Sequence, residues 1–178
     1  HPHREIEVVT YCAEGEFRHA DEQGVGGVLK KGWVQHTTVG RGMWHSEINN
    51  RKDAEMRFIQ MWFHPEKRGL EPSVEQKAVE RSERTNHFLH LVSPEHEDAL
   101  FIFTDARVSS CFLEKGKTAE HVLEDKRGAY LYVLEGGPVG VNGKRMSALS
   151  AAKISGEPEL HVTANADAEL LLADVLLV

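Results

Sequence analysis

Cysteine is scarce in this sequence, in which Cys12 and Cys111 are the only two among 178 residues. No C-x-x-C pair is present, so the sequence does not suggest a zinc knuckle, and two widely separated cysteines do not suggest a disulfide scaffold. Both lie in strand-like stretches, and we expect each to be a small apolar core residue. This cysteine usage indicates a reducing, cytoplasmic location.

Positive charge and long apolar runs are also lacking. The chain has 21 basic and 28 acidic residues, a formal net charge of −7, spread along its length. Attraction to a nucleic acid backbone is therefore not expected, and we predict no direct nucleic acid partner. The longest apolar run, Leu170–Val178, is broken by Asp174 and is too short to cross a bilayer, so we predict a strand there and no membrane partner.

Short apolar runs alternate with turn residues through most of the chain. The predicted strands include Ile6–Ala13, Trp33–Thr38, Met56–Phe63, Ala99–Thr104 and Ala129–Leu134. Strands of this length and spacing indicate an all-β sandwich or barrel rather than alternating strands and helices.

The two halves of the sequence resemble each other. Glu-Gly ends a strand at 14–15 and again at 135–136, and Asp-Ala-Glu leads into a strand at 53–55 and again at 167–169. Such self-similarity favours duplication of one β-barrel unit. Charged residues, proline and glycine are frequent over residues 66–86, which predicts a connector between an N-terminal lobe, residues 1–65, and a C-terminal lobe, residues 87–178.

Two pairs of residues have the spacing of metal ligands. His1 and His3 are two positions apart, as are His45 and Glu47, so in extended strands each pair projects from one face. Each pair alone is a weak signal. If the two strands are neighbours in one barrel, three imidazoles and one carboxylate converge. That donor set suits a divalent first-row metal and leaves coordination positions open, as catalytic sites do.

The residues around both pairs resemble the pirin family of the cupin superfamily. Pirins have an HPHR opening, a strand that ends in TY-x-x-EG and a second motif G-R-G-x-x-HSE, which are found here at residues 1–4, 10–15 and 40–47. The resemblance is close over residues 1–65, whereas the rest resembles a degenerate second cupin lobe. Pirins also have a segment ahead of HPHR that is absent from this sequence. We therefore expect further strands upstream of His1, and any targeting signal would lie there as well.

The resemblance implies a bicupin, that is, two double-stranded β-helix (jelly-roll) barrels. It implies one divalent transition metal ion in the N-terminal lobe, with iron(II) as the first expectation and zinc, nickel, manganese, cobalt or copper as alternatives. The ligands would be the residues that match the family's set: His1, His3, His45 and Glu47. We expect no catalytic metal in the C-terminal lobe.

Two functions follow from the resemblance. Some pirins are similar in activity to quercetin 2,3-dioxygenase, which opens a flavonol ring with dioxygen and releases carbon monoxide. The leading hypothesis is therefore a metal-dependent dioxygenase whose partners are a flavonol-like molecule and dioxygen. Other pirins are described as regulators, so the alternative is a non-enzymatic, metal-bearing protein that binds a transcription factor or a metabolic enzyme.

Glu47 is the candidate general base for the dioxygenase. A flavonol 3-hydroxyl beside its 4-carbonyl can dock on an open metal position, where the hydroxyl pKa falls, and a carboxylate at the site can take the proton. Glu7 competes for the place of fourth ligand, because it is expected on the strand face of His1 and His3 and many cupins bind metal with a glutamate near there. Since pirins use the glutamate after the second-motif histidine, Glu47 is favoured and Glu7 is expected to support the ligands.

Overall fold

The computed structural model describes residues 1–177, which form two compact β units. Residues 1–80 and 94–104 make up the first unit, and residues 81–93 and those from 105 onward make up the second. The predicted all-β class is confirmed, since the helical structure within residues 1–177 is limited to a single 3-10 turn, Arg81–Arg84. No helix in this range is long and apolar enough to span a membrane.

The first unit consists of two antiparallel four-stranded sheets. Its strands are β1 (Pro2–His3), β2 (Glu7–Glu14), β3 (Glu16–Asp21), β4 (Gly26–Lys30), β5 (Val34–Thr38), β6 (Met43–Asn49), β7 (Arg57–Phe63) and β8 (Ser73–Lys77). One sheet has the order β1-β6-β3-β4 and the other β7-β2-β5-β8. The central strand β2 has the sequence EVVTYCAE, and its β-branched and aromatic residues favour a buried extended conformation.

The second unit also consists of two antiparallel sheets. Its strands are β9 (Leu89–Val92), β10 (Ala106–Leu113), β11 (Thr118–Val122), β12 (Arg127–Gly136), β13 (Val139–Val141), β14 (Lys144–Met146), β15 (Ala151–Ser155), β16 (Glu159–Ala164) and β17 (Ala168–Leu176). The sheet orders are β15-β12-β17-β10-β9 and β11-β16-β13-β14. The second of these repeats the order β1-β6-β3-β4 strand for strand.

An equivalent glycine corner ends a central strand in each unit. Gly15, after β2, has a φ of 72°, and Gly136, at the end of β12, has a φ of 74°. A Cβ on Gly15 would lie 2.2 Å from the carbonyl oxygen of Glu55, and a Cβ on Gly136 would lie 2.0 Å from that of Asp167. Only glycine tolerates both this conformation and this close approach. The Glu-Gly repeat of the sequence therefore marks one corner, built twice, whereas the Asp-Ala-Glu repeat is out of register by two residues, since Glu55 and Asp167 occupy the equivalent positions.

Apolar side chains fill the two units differently. Within the described residues, the first unit has a small cluster of Val8, Val39 and Met43 and another of Cys12, Phe17 and Leu29. The second has one continuous cluster of 17 buried residues that includes Cys111. Both cysteines are free and fully buried, as the sequence predicts.

The boundaries between the units differ from the expected lobes 1–65 and 87–178. Ser73–Lys77, within the expected connector 66–86, is strand β8 and pairs along its whole length with β5. Residues 94–104 lie in the first unit, although they follow the first strand of the second. Within them, Ala99–Thr104 is not a strand: the Phe103 amide donates to the carboxylate of Glu7 at 3.0 Å instead of to a neighbouring strand.

Candidate metal centre

Three of the expected ligands converge where β1 pairs with β6. His3 lies opposite Met43 in this ladder, and the His45 amide donates to the carbonyl oxygen of His1 at 3.1 Å. One ring nitrogen from each of His1, His3 and His45 lies within 4.8 Å of the others. The Nε2 atoms of His1 and His45 are 2.9 Å apart. The short strand β1 therefore brings residues 44 positions apart in sequence to one point.

Glu47, the fourth expected ligand, lies two residues beyond His45 on β6 and is half-buried. Alternation along the strand places both side chains on the same face. The Glu47 carboxylate lies outside the group of three imidazoles within 4.8 Å of one another, and its Oε1 accepts a hydrogen bond from Nε2 of Gln60. The other oxygen, Oε2, remains available for a metal ion or a proton.

Gln60, on β7, holds Glu47 in a defined orientation. Its Nε2 also lies 3.3 Å from Oγ1 of Thr10, and its Oε1 accepts from the indole Nε1 of Trp62 at 3.3 Å. Because an indole nitrogen can only donate, the oxygen of the Gln60 amide must face Trp62 and the nitrogen must face Glu47. The sequence singles out neither Gln60 nor its contacts, since glutamine is common in strands and carries no ligand spacing.

A fourth histidine, His19, contacts His45 at the ring nitrogen that does not face His1. It lies on β3 opposite Glu47, is fully buried, and its Nε2 is 2.9 Å from Nδ1 of His45. A metal ion on Nε2 of His45 requires the ring proton on Nδ1, and His19 Nε2 is placed to accept that proton. The sequence alone does not identify this contact, because it depends on the register between β3 and β6.

Burial controls the protonation of these groups. Burial, with the nearby His19 and His3, lowers the pKa of His45 to about 4. Burial also lowers the pKa of His19, which Asp21 partly offsets. Burial raises the pKa of Glu47, which the hydrogen bond from Gln60 partly offsets. His45 is therefore neutral near pH 7, the state in which an imidazole can bind a metal.

Glu7 lies away from the three histidines, in other surroundings. Its side chain is fully buried, and its carboxylate accepts hydrogen bonds from the Phe103 amide at 3.0 Å and from Thr104 Oγ1 at 2.7 Å, with His36 Nε2 at 3.3 Å. Burial alone would raise its pKa, but His36 and these hydrogen bonds outweigh that effect and lower it. Glu5, with a φ of 55°, turns the chain between β1 and β2, so the face expected to be shared with His1 and His3 is not continuous.

The arrangement fits a metal ion. Two imidazole nitrogens facing each other at 2.9 Å must share a proton or a cation, because two lone pairs repel. Neutral imidazoles with an adjacent carboxylate are preferred by first-row divalent metals. A ligand histidine whose second nitrogen is held by a buried neighbour, as His45 is by His19, is also the usual pattern at such sites.

Two tryptophans lie beside the centre. Trp62 is 58% exposed, and its ring centroid is 4.9 Å from that of His3. Trp44 is 61% exposed and, together with His3 and Met43, lines an open depression of about 380 Å³. An exposed aromatic surface next to the imidazoles can pack against a planar ligand.

The second unit has polar clusters of another kind. Glu120, Glu159 and His161 bring ligand atoms within 4.8 Å on its surface, where Nδ1 and Nε2 of His161 lie 3.1 and 3.2 Å from one carboxylate each. Both nitrogens thus have acidic partners on the exposed surface, where such contacts contribute little to stability. Glu124, also exposed on this unit, pairs with Arg107 at 3.2 Å.

Inside the second unit, Asp174 is the centre of a buried ionic network. Its carboxylate accepts from Arg127 Nε at 2.6 Å and lies 2.9 Å from His121 Nε2. Burial alone would raise the pKa of Asp174, but the hydrogen bonds from His121 and Arg127 outweigh it, and the pKa is lowered.

Comparison with known proteins identifies related families and structures. A family model described as Pirin matches residues 1–63, and one described as Quercetinase C-terminal cupin domain matches residues 90–175. A Pseudomonas aeruginosa protein named provisionally as a quercetin 2,3-dioxygenase is 40% identical over 177 residues, which cover 98% of this chain and 75% of the relative. Quercetin 2,3-dioxygenase of Escherichia coli K12 is 29% identical over 176 residues, with coverages of 98% and 74%. The crystal structure of a bacterial pirin from Escherichia coli in complex with nickel(II) matches with a TM-score of 0.88 and 29% identity, over 100% of this chain and 76% of that one.

Proposed function

Because the chain belongs to the pirin family, we propose that it is a metal-dependent dioxygenase that opens the ring of a flavonol such as quercetin with dioxygen. The observation that carries the proposal is the convergence of the His1, His3 and His45 nitrogens with Glu47 on the same strand face as His45. The dioxygenase names of two relatives support the reaction type.

We assign one divalent metal ion, iron(II) in the first instance, to His1, His3, His45 and Glu47. When bound, the ion supplies a Lewis acid for the adjacent hydroxyl and carbonyl oxygens of a flavonol and a redox partner for dioxygen. Imidazole and carboxylate donors support a first-row metal. The related Escherichia coli pirin, which was crystallised with nickel(II), supports a transition metal in this fold.

The chain's own residues prepare the substrate. Glu47 takes the proton of the 3-hydroxyl at Oε2, since Gln60 holds Oε1. Trp62, whose ring lies beside His3, provides an aromatic surface for the flavonol rings. His19 fixes the ring orientation of His45 through Nδ1. In this proposal each turnover takes up one dioxygen per flavonol and releases one carbon monoxide.

The two buried free cysteines support a reducing, cytoplasmic location for this enzyme. Burial raises the pKa of the Cys111 thiol to about 12, so this residue is not ionised at physiological pH.

The decisive experiment uses the full-length protein loaded with iron(II) without oxygen and then mixed with quercetin in air. We expect equal amounts of quercetin loss, oxygen uptake and carbon monoxide release. Glu47→Gln should bind metal about 10- to 100-fold more weakly but still fill at saturating iron(II), whereas turnover per bound metal ion should fall by about 100-fold or more, the scale of general-base catalysis. His45→Ala should lose both metal and turnover. His161→Ala, an exposed histidine of the second unit, is the matched control and should keep both.

Two outcomes would contradict the assignment. A fully metal-loaded protein that consumes no oxygen with flavonols would favour the alternative, a metal-bearing regulator of a transcription factor or metabolic enzyme. A Glu47→Gln protein that loses metal and turnover in parallel would leave Glu47 as a ligand and remove its role as base.

A further inference from the structure

The second unit has an open seam between two strand edges. Strand β14 pairs only with β13 and β15 only with β12, so each is the edge of its own sheet. The two strands are consecutive in the chain and are joined by residues 147–150. Together with Leu160, they line a cavity of about 410 Å³ that opens to solvent. This volume lies within the range of small-molecule sites.

The walls of this cavity are aliphatic and continue into the core. Val141, Met146 and Leu160 are buried members of the second unit's apolar cluster, and the partly buried Ala152 and Ile154 pack against it. Filling such a cavity with an alkyl chain would remove apolar surface from water on both sides, which stabilises a complex in proportion to the apolar area buried, before the losses of binding.

The rim of the cavity is cationic. Lys144, Arg145 and Lys153 line it, and none of them is in an ion pair with any residue of the range 1–177. Its one carboxylate, Glu157, is held by the side-chain amide of Asn142 at 3.1 Å. The rim therefore has three cationic side chains and one carboxylate, which is hydrogen-bonded, whereas the whole chain has a net charge of −7. Cations without a partner around an aliphatic opening are complementary to a molecule with an apolar body and one negative end.

We propose that this cavity, between β14 and β15, binds a medium-chain carboxylate, with the alkyl chain against Val141, Met146 and Leu160 and the carboxylate among Lys144, Arg145 and Lys153. The site belongs to the second unit alone, and the inference is independent of the dioxygenase activity proposed for the first.

Calorimetric titration of the full-length, metal-loaded protein with decanoate tests the proposal. Because each exposed ion pair contributes only modestly to binding, Lys144→Glu combined with Lys153→Glu should weaken decanoate binding by about tenfold. Decanol, which has the same chain without the charge, should bind about tenfold more weakly than decanoate. Ala152→Trp, which fills the cavity, should abolish binding. Lys117→Glu, an exposed lysine outside the cavity, is the matched control and should bind decanoate like the wild type.

The melting temperatures of the variants show whether they fold. Ala152→Trp removes the space for the alkyl chain, whereas the double charge reversal removes the cations that would bind the carboxylate. The test therefore still holds if one of the two variants misfolds. Absence of decanoate binding to the wild type would overturn the proposal. Equal binding of decanol, or binding unchanged in both the charge-reversed and the cavity-filled proteins, would also overturn it.

Discussion

The two units share a strand order and a glycine corner but differ in what fills the barrel. In the first unit the ladder between β3 and β6 begins with Phe17 opposite Asn49, and in the second the ladder between β13 and β16 begins with Val139 opposite Ala164. Counting along the strands from these two pairs gives, for each polar residue of the first unit, the residue at the equivalent position of the second. Three of them carry aliphatic residues in the second unit: His19 matches Val141, His45 matches Leu160, and Glu47 matches Val162.

The strands beside the corner show the same difference. Counting back from Gly15 and Gly136, Thr10 matches Leu131, and the β2–β7 and β12–β17 ladders match Gln60 with Leu172. Burying one such aliphatic side chain stabilises a fold by about 1.5–3 kcal/mol, whereas a buried imidazole or amide contributes only when its polar atoms are bonded. We infer that the glycine corner and the strand order are required for the barrel fold, whereas the polar interior of the first unit is required for its candidate metal centre.

The largest expected effect concerns Asp174, a buried charged residue in the interior of the second unit. Asp174→Asn removes one of the two carboxylates that pair with the buried Arg127, the other being Asp105, so we expect a loss at the lower end of the about 3–5 kcal/mol by which an uncompensated buried charge destabilises a fold. Chemical denaturation at pH 7 measures this loss, with the exposed Asp125→Asn as control. Because the folded pKa of Asp174 is lowered, its contribution is present above the ordinary carboxyl pKa and is lost as pH falls through the folded value. As the pH falls below about 4, the free energy of unfolding should therefore decrease less for the variant than for the wild type. A variant within about 1 kcal/mol of the control would show that the second unit does not depend on this network.

The next effect tests whether the first unit can be made like the second. His45→Leu installs the residue found at position 160 and removes a ligand, so we expect metal affinity to fall by at least about 100-fold, the upper range for loss of a supporting group. The metal-free variant should unfold no more easily than the metal-free wild type, since the buried leucine offsets the hydrogen bond that His19 loses. Competition with a chelating dye and thermal melting provide the two measurements, and His161→Leu is the control. Unchanged metal affinity would remove His45 from the proposed ligands.

The smallest effect concerns Gln60. Gln60→Leu installs the residue found at position 172 and leaves Glu47 without its donor, so we expect metal affinity to fall by about tenfold while the metal-free protein remains folded. The same dye competition measures it, beside Gln23→Leu on an exposed turn. If Gln60→Leu binds metal as the wild type does, the hydrogen bond to Glu47 does not position a ligand.

Much of the fold could be predicted from local signals. The bicupin prediction is confirmed by two β units with repeated strand order and by the pirin and cupin matches. Segment 94–104 could not be placed, because its apolar residues, which predict a strand, contact the first unit instead. Strand β8 was missed because SVEQK, an edge strand, lacks the apolar alternation that identifies strands in sequence.

The site was predictable only as far as short spacings allow. The His-x-His and His-x-Glu pairs are visible because alternation puts their side chains on one face. The partnership of His19 with His45 depends on pairing across 26 positions, and the role of Gln60 depends on contacts with two other strands and with Trp62 on its own strand. Glu7 was expected to share a face with His1 and His3, but the turn at Glu5 breaks the alternation on which that expectation rests.

The exchange of segments between the units has a consequence for synthesis on the ribosome. Glu7 emerges early, but two of its partners, the Phe103 amide and the Thr104 hydroxyl, come after β9 of the second unit. At about 5–20 residues per second, the chain from Glu80 to Thr104 takes about 1–5 s to make. During that time Glu7 lacks these two partners, although every strand of its sheet has already been made. The two barrels are therefore completed in overlapping intervals, and a nascent chain halted before Thr104 would leave the first barrel unfinished.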